Sequence, residues 1–258
     1  MTAFNVYRIL FVVLLIALTA VKILLSLLNL KYMKKHSGSV PEEFKEKVKE
    51  KDISRILDYN SASTKVANIQ SAVFTGILIL IIFGNFLVPI ISKSERFPYC
   101  VLQGLAFFFS IGAIFWIVSI PFDIFETFHV EKIFGFNRQT FSSWLKDLFK
   151  SLLIAIIVGG ILLSLLLTIM EKSGRLWWLY SWGLVLVFGI ILTSLYPVVI
   201  APLFNKFTLL DKSDLLEKVK AIGQKSGIKV RGIFKMDAGK RYAQNETYFT
   251  GFGKSKRI

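Results

Sequence analysis

The sequence predicts an α-helical polytopic membrane protein, with five transmembrane helices followed by the start of a small cytosolic α/β domain. Three observations lead there. The 258 residues are 54% hydrophobic and include 24 Phe, and the apolar residues come in long blocks rather than in alternation. Five blocks approach or exceed the ~20 residues that cross a bilayer as helix. They cover about 9–30, 71–92, 100–121, 151–170 and 177–196. Charge flanks these blocks unevenly. With five crossings, segments 31–70, 122–150 and 202–258 share one side and carry 26 of the 32 Lys and Arg. The other side has Arg8, Lys93, Arg96, Lys172 and Arg175, and Lys22 lies inside the first span. Basic residues collect in cytoplasmic loops, so the N-terminus is expected outside and the C-terminus in the cytoplasm. The net charge of +15 is explained by this flanking. The implied partner is therefore the lipid bilayer, with no nucleic acid.

Taken in order, the first span has only Arg8 before it, no small-residue cleavage pattern, and Lys22 within it, which excludes a signal peptide. Ser39-Val40-Pro41-Glu42 has capping-box spacing with Pro early in a helix. Phe44, Val48, Ile56 and Leu57 give that helix an apolar stripe, and it leads through Tyr59-Asn60 into the second span. Its alternating Glu and Lys read as a solvated face. The third span continues as helix from Phe122 to Phe134, where Gly135 suits a left-handed C-cap. Thr140 is the expected N-cap of the helix that becomes span four. Trp177, Trp178, Tyr180 and Trp182 form an interfacial belt at the start of span five. Pro197 is expected to kink that helix and Pro202 to end it. The membrane domain is thus 1–201, with a cytosolic helical segment at 31–70, and 202–258 begins a cytosolic domain.

In that last segment, Leu215, Leu216, Val219 and Ile222 share one face of a helix ending near Gly227. Ile228, Val230, Phe234 and Met236 alternate as one face of a strand. After a turn at Asp237-Ala238-Gly239, Tyr248, Thr250 and Phe252 alternate with Thr247, Phe249 and Gly251 in a second extended run. Lys254-Ser255-Lys256 reads as the turn into a return strand of which only Arg257 and Ile258 are written. An unfinished hairpin leaves backbone donors unpaired, so the chain is expected to be the front part of a longer protein.

Catalytic patterns are missing. The two histidines, His36 and His129, are far apart, and no His-Glu-x-x-His is present. His129-Val130-Glu131 lacks the second histidine. Neither a Gly-x-Ser-x-Gly elbow, a phosphate-binding glycine loop nor a Cys/His pair occurs. Asp123, Glu126 and Glu131 share one side of a helix and read as a solvated extension. Cys100 reads as a buried inert thiol. Lys22 and Asn85 are the polar residues deepest in spans: each either lines a water-filled cavity or pairs with a neighbouring helix. No bound metal or other cofactor is expected in this chain.

The runs APLFNKFTLL (201–210), FGFNRQT (134–140) and YFTGFGKSKRI (248–258) resemble the integral-membrane CAAX prenyl protease type I family. So does the Pro41-Glu42-Glu43-Phe44 helix with the later Tyr59-Asn60. The resemblance runs nearly end to end and keeps the order of these segments. It implies the N-terminal part of a zinc metalloendopeptidase that processes CAAX tails of prenylated proteins, with the zinc helix, and so the zinc, beyond the written chain. By that likeness, Glu246, Thr247, Tyr248 and Phe249 lie on an edge strand that binds peptide substrate, with Arg241 just upstream. The family writes Ser-Lys-Arg-Ser-x-His-x-Asn-Ala-Tyr in this region. Here Gly239 and Tyr242 replace the serines, and Gln244, Glu246 and Thr247 replace His, Asn and Ala. Backbone pairing survives such changes better than side-chain contacts do. The membrane implied is the bacterial cytoplasmic membrane or the endoplasmic reticulum. The alternative is a non-catalytic membrane protein that binds hydrophobic or prenylated tails or a partner protease. A channel or transporter is disfavoured by the absence of internal repeats.

Overall fold

Long apolar runs free of Gly and Pro clusters fold as helices longer than a bilayer is thick. The computed structural model describes residues 3–36, 50–209, 216–218, 221 and 233–237. Five helices among these are long and apolar enough to cross a membrane. The described residues fall into two compact units, one from 1–98 with 106–137 and one from 99–105 with 138–258.

In the first unit, α1 (Ala3–Lys35) and α2 (Glu50–Phe83) pack as an antiparallel pair. At 1.5 Å per residue, their 33 and 34 residues reach ~50 Å, against a hydrocarbon core of ~30 Å. Three polar rungs join them. Thr19 and Thr75 share a hydroxyl bond of 2.8 Å, Lys22 Nζ donates to Ser71 Oγ at 3.1 Å, and Ser26 Oγ donates to Asn68 Oδ1 at 3.0 Å. Lys22 is thus held by its neighbouring helix. Interhelical hydrogen bonds in a bilayer average ~0.6 kcal/mol, so the seam sets register more than stability.

The run 71–92 is two helices rather than one span. α2 stops at Phe83, Asn85 takes a left-handed φ of 57°, and the short α3 (Leu87–Ser94) follows. Asn85 therefore marks a break instead of sitting deep in a span. α4 (Cys100–Phe125) continues through a wide π turn at Glu126–Val130 and a last turn at Glu131–Ile133. Cys100, expected to be buried, is exposed as the first residue of α4.

The second unit is built on an antiparallel helical hairpin, α5 (Phe141–Lys172) and α6 (Trp177–Leu195). Thr140 caps α5 as expected. Its backbone is extended, and its Oγ1 accepts the Ser143 N–H at 3.3 Å. A side chain on Gly104 would meet Leu167 of α5 at 2.6 Å, so the start of α4 approaches α5 closely there. Pro197 opens a π turn, Tyr196–Ile200. Pro202 does not end the helix; it occupies the first turn of a further piece, Ala201–Phe204, where a missing N–H costs nothing. Asn205, in extended backbone, is the actual end.

A strand not anticipated from the sequence follows, β1 (Phe207–Leu209). It pairs antiparallel with β2 (Phe234–Met236), Thr208 opposite Lys235. Residues 216–218 and 221 are helical, in line with the expected amphipathic helix. No side chain among the described residues is fully buried, and large apolar residues are exposed along every long helix. Such surfaces suit hydrocarbon as the surrounding medium.

Candidate functional site

The best-formed polar constellation lies in the first unit, where α2 grips the end of the α4 helix. Arg55, Tyr59 and Ser63 are four residues apart, so they share one face of α2. The chain ends its helix opposite them with Phe134-Gly135-Phe136-Asn137. The Phe136 and Asn137 N–H groups both donate to Glu131 O, at 2.8 and 3.3 Å, and the Gly135 N–H donates to Lys132 O at 3.1 Å. Gly135 takes φ 69°, the left-handed conformation that such a closure requires. Asn137 Nδ2 then reaches back to Thr127 O at 2.7 Å, inside the π turn.

Each α2 side chain meets one part of this turn. Arg55 donates to Phe134 O, and its guanidinium lies 5.3 Å above the Phe136 ring. Tyr59 stands edge-on to both Phe134 and Phe136, with centroids 5.7 and 4.8 Å away. Ser63 donates to Glu126 Oε1. The Phe-Gly-Phe-Asn run and Tyr59, noted separately in the sequence, are one structure. Arg55 and Ser63 were missed by sequence reading; their spacing around Tyr59 was the available signal.

The three carboxylates follow the apolar run that ends at Pro121. Glu126 Oε2 and Glu131 Oε2 are shielded and have no hydrogen-bond partner. The side is therefore not simply solvated, as the sequence suggested. The remaining chemistry-bearing residues do not join it. His36 Nδ1 lies 2.9 Å from Tyr32 O, and His129 stacks on Phe125 at 4.7 Å. Among the described residues no group of three His, Cys, Asp or Glu could hold a metal ion. The described residues do not fit the zinc that the resemblance implies. What the arrangement can do is fix two helices together at the end of their spans. Arg241, Glu246, Thr247, Tyr248 and Phe249 lie outside the described residues, as does the capping box at Ser39.

Residues 29–206, from the end of α1 through both π turns, match the family model for "CAAX prenyl protease N-terminal, five membrane helices". The chain belongs to this family. Its relatives agree. CAAX prenyl protease 1 of Saccharomyces cerevisiae is 35% identical over 161 residues, which is 61% of this chain and 35% of that protein. The Oryza sativa homolog is 33% identical over 160 residues, covering 61% and 37%. The Dictyostelium discoideum homolog is 30% identical over 237 residues, covering 87% and 54%. The crystal structure of S. mikatae Ste24p superposes with a TM-score of 0.83 at 25% identity, over 97% of this chain and 59% of that one. The matched region thus spans about a third to a half of the length of these relatives.

Proposed function

We propose that the chain supplies the membrane chamber and the substrate strand of an endopeptidase that processes the CAAX tails of prenylated proteins. The match of five membrane helices over residues 29–206 carries this reading, and the likeness to Ste24p over 97% of the chain supports it. The substrate strand is Glu246 to Phe249 with Arg241 just upstream in the sequence, proposed on the family likeness and on the extended propensity of Thr247, Tyr248 and Phe249. Its recognition mode is β-augmentation, in which a peptide adds its own backbone to a sheet edge. Hydrolysis is assigned to no described residue, because those residues form no ligand set for zinc. The 26 basic residues on one side support an outside N-terminus and a cytoplasmic C-terminus.

The test is a chimera. All 258 residues are joined to the remaining part of the Dictyostelium relative and offered a farnesylated peptide ending in a CAAX tail. Shortening of that peptide is expected, and none of an unprenylated non-CAAX control. A chimera that is monodisperse and helical yet leaves the farnesylated peptide intact overturns the reading.

A further inference from the structure

Within the second unit, α5 and α6 do not close fully on each other. They enclose a cleft of about 730 Å³ lined chiefly by apolar side chains, inside the ~300–1,000 Å³ range of small-molecule sites. Ser151, Ala155 and Gly159 come from one face of α5; Tyr196, Ile200 and Phe204 come from the end of α6 and its continuation. From Ser151 to Gly159 the groove runs about 12 Å, at 1.5 Å per residue. Hydroxyl-bearing Ser151 and Tyr196 lie toward one end and Val158 and Gly159 at the other; the lining Thr193, further along α6, has its hydroxyl bonded to Gly189 O at 2.8 Å.

Cationic charge stands at the polar end. Lys150 directly precedes the lining Ser151, and its Nζ donates to Leu203 O at 3.0 Å, next to the lining Phe204. An ammonium has three donors, so one carbonyl leaves it able to bind an anion. Asp147, one turn away, accepts from Gln139 Nε2 at 2.8 Å. Lys206, two residues past Phe204, is exposed. The apolar end is open in a specific way: a Cβ built on Gly159 meets nothing within 4 Å.

We propose that this cleft binds one phospholipid with an anionic headgroup, its phosphate at Lys150 and an acyl chain lying along Ala155 and Gly159. The argument is complementarity at both ends of one elongated site. An uncharged apolar occupant would leave the remaining donors of Lys150 unmatched, and a soluble anion would leave the apolar groove unfilled. Basic residues at the membrane surface attract anionic headgroups, and each buried methylene adds to chain binding. The proposal does not depend on proteolysis.

The experiment uses the purified, delipidated 258-residue chain in detergent, titrated with phosphatidylglycerol or phosphatidylcholine and read by native mass spectrometry. One phosphatidylglycerol per chain is expected to bind more tightly than phosphatidylcholine. Lys150→Ala should weaken phosphatidylglycerol by about fivefold and remove most of the headgroup preference. Gly159→Leu fills the open end and should weaken both lipids by about tenfold or more. Gly183→Leu is the control, since Gly183 also has open space but does not line the cleft; it should bind as wild type does. Equal binding by wild type and Gly159→Leu overturns the proposal. So does equal affinity for both lipids that Lys150→Ala leaves unchanged, the signature of a non-specific lipid annulus. Failure of the wild type to take up lipid, with a polypeptide segment or a second copy filling the cleft instead, overturns it as well.

Discussion

Gly135 shows how one residue can tie a motif to its partner helix. Its φ of 69° is a conformation that costs an L side chain about 1–2 kcal/mol. A Cβ there would also lie 2.7 Å from Arg55 Nη2. The guanidinium can swing away, but only by giving up Phe134 O and the Phe136 ring. Gly135→Ala is therefore expected to destabilise by about 1–3 kcal/mol, combining the backbone cost with the lost contact. Arg55→Ala should remove part of that penalty, so the double variant should be less destabilised than the two singles combined. Thermal unfolding of the four proteins in detergent measures this. Strict additivity would mean that Gly135 and Arg55 act independently and would sink the idea of a shared latch. Lys22 teaches the complementary lesson. Its two sequence readings were evenly balanced, and a hydroxyl 49 positions away on α2 supplies its partner; no local pattern around residue 22 names Ser71.

At the scale of elements, the long helices and their caps were legible because their signals are local. Apolar length predicts a span, and Thr140 and Gly135 announce a start and a stop. β1 was not legible. Phe207 to Leu209 make a strand of three residues, too short for any period to show, and its existence depends on β2 lying 25 residues further along the chain. Pro202 misled for a related reason: proline disfavours a helix interior but is welcome in a first turn, and a π turn just upstream creates a new first turn. The proposed substrate strand offers a test of parity. Alternate N–H groups along a strand point to opposite sides, so proline at neighbouring positions should not be equivalent. In the chimera, Phe249→Pro should cut cleavage of the farnesylated peptide severalfold, and Thr250→Pro should cut it less. Either order of the two leaves the strand in its role, since a strand offers one parity of N–H groups to the peptide. Equal activity at unchanged thermal stability would remove this strand from substrate binding.

For the whole molecule, the expected orientation rests on charge rather than on shape. Reporter fusions after Lys93 and after Ala201 should report opposite sides of the membrane, the second being cytoplasmic. Matching signals from both would refute five crossings in this arrangement. The seam between α1 and α2 also bears on how such a molecule is made. α1 is rich in Leu, Ile and Val, and the cost of Lys22, ~2.5–3.5 kcal/mol in translocon-insertion terms, is offset by its many apolar neighbours. α2 is poorer: Asn68, Gln70, Ser71 and Thr75 fall within its second half. Asn68, Ser71 and Thr75 are the residues that α1 satisfies. As the ribosome releases the chain, α1 is already present as a docking rail when α2 reaches the lipid. The second helix is delivered to a partner and not to bare hydrocarbon, so order of synthesis becomes part of the code for assembly.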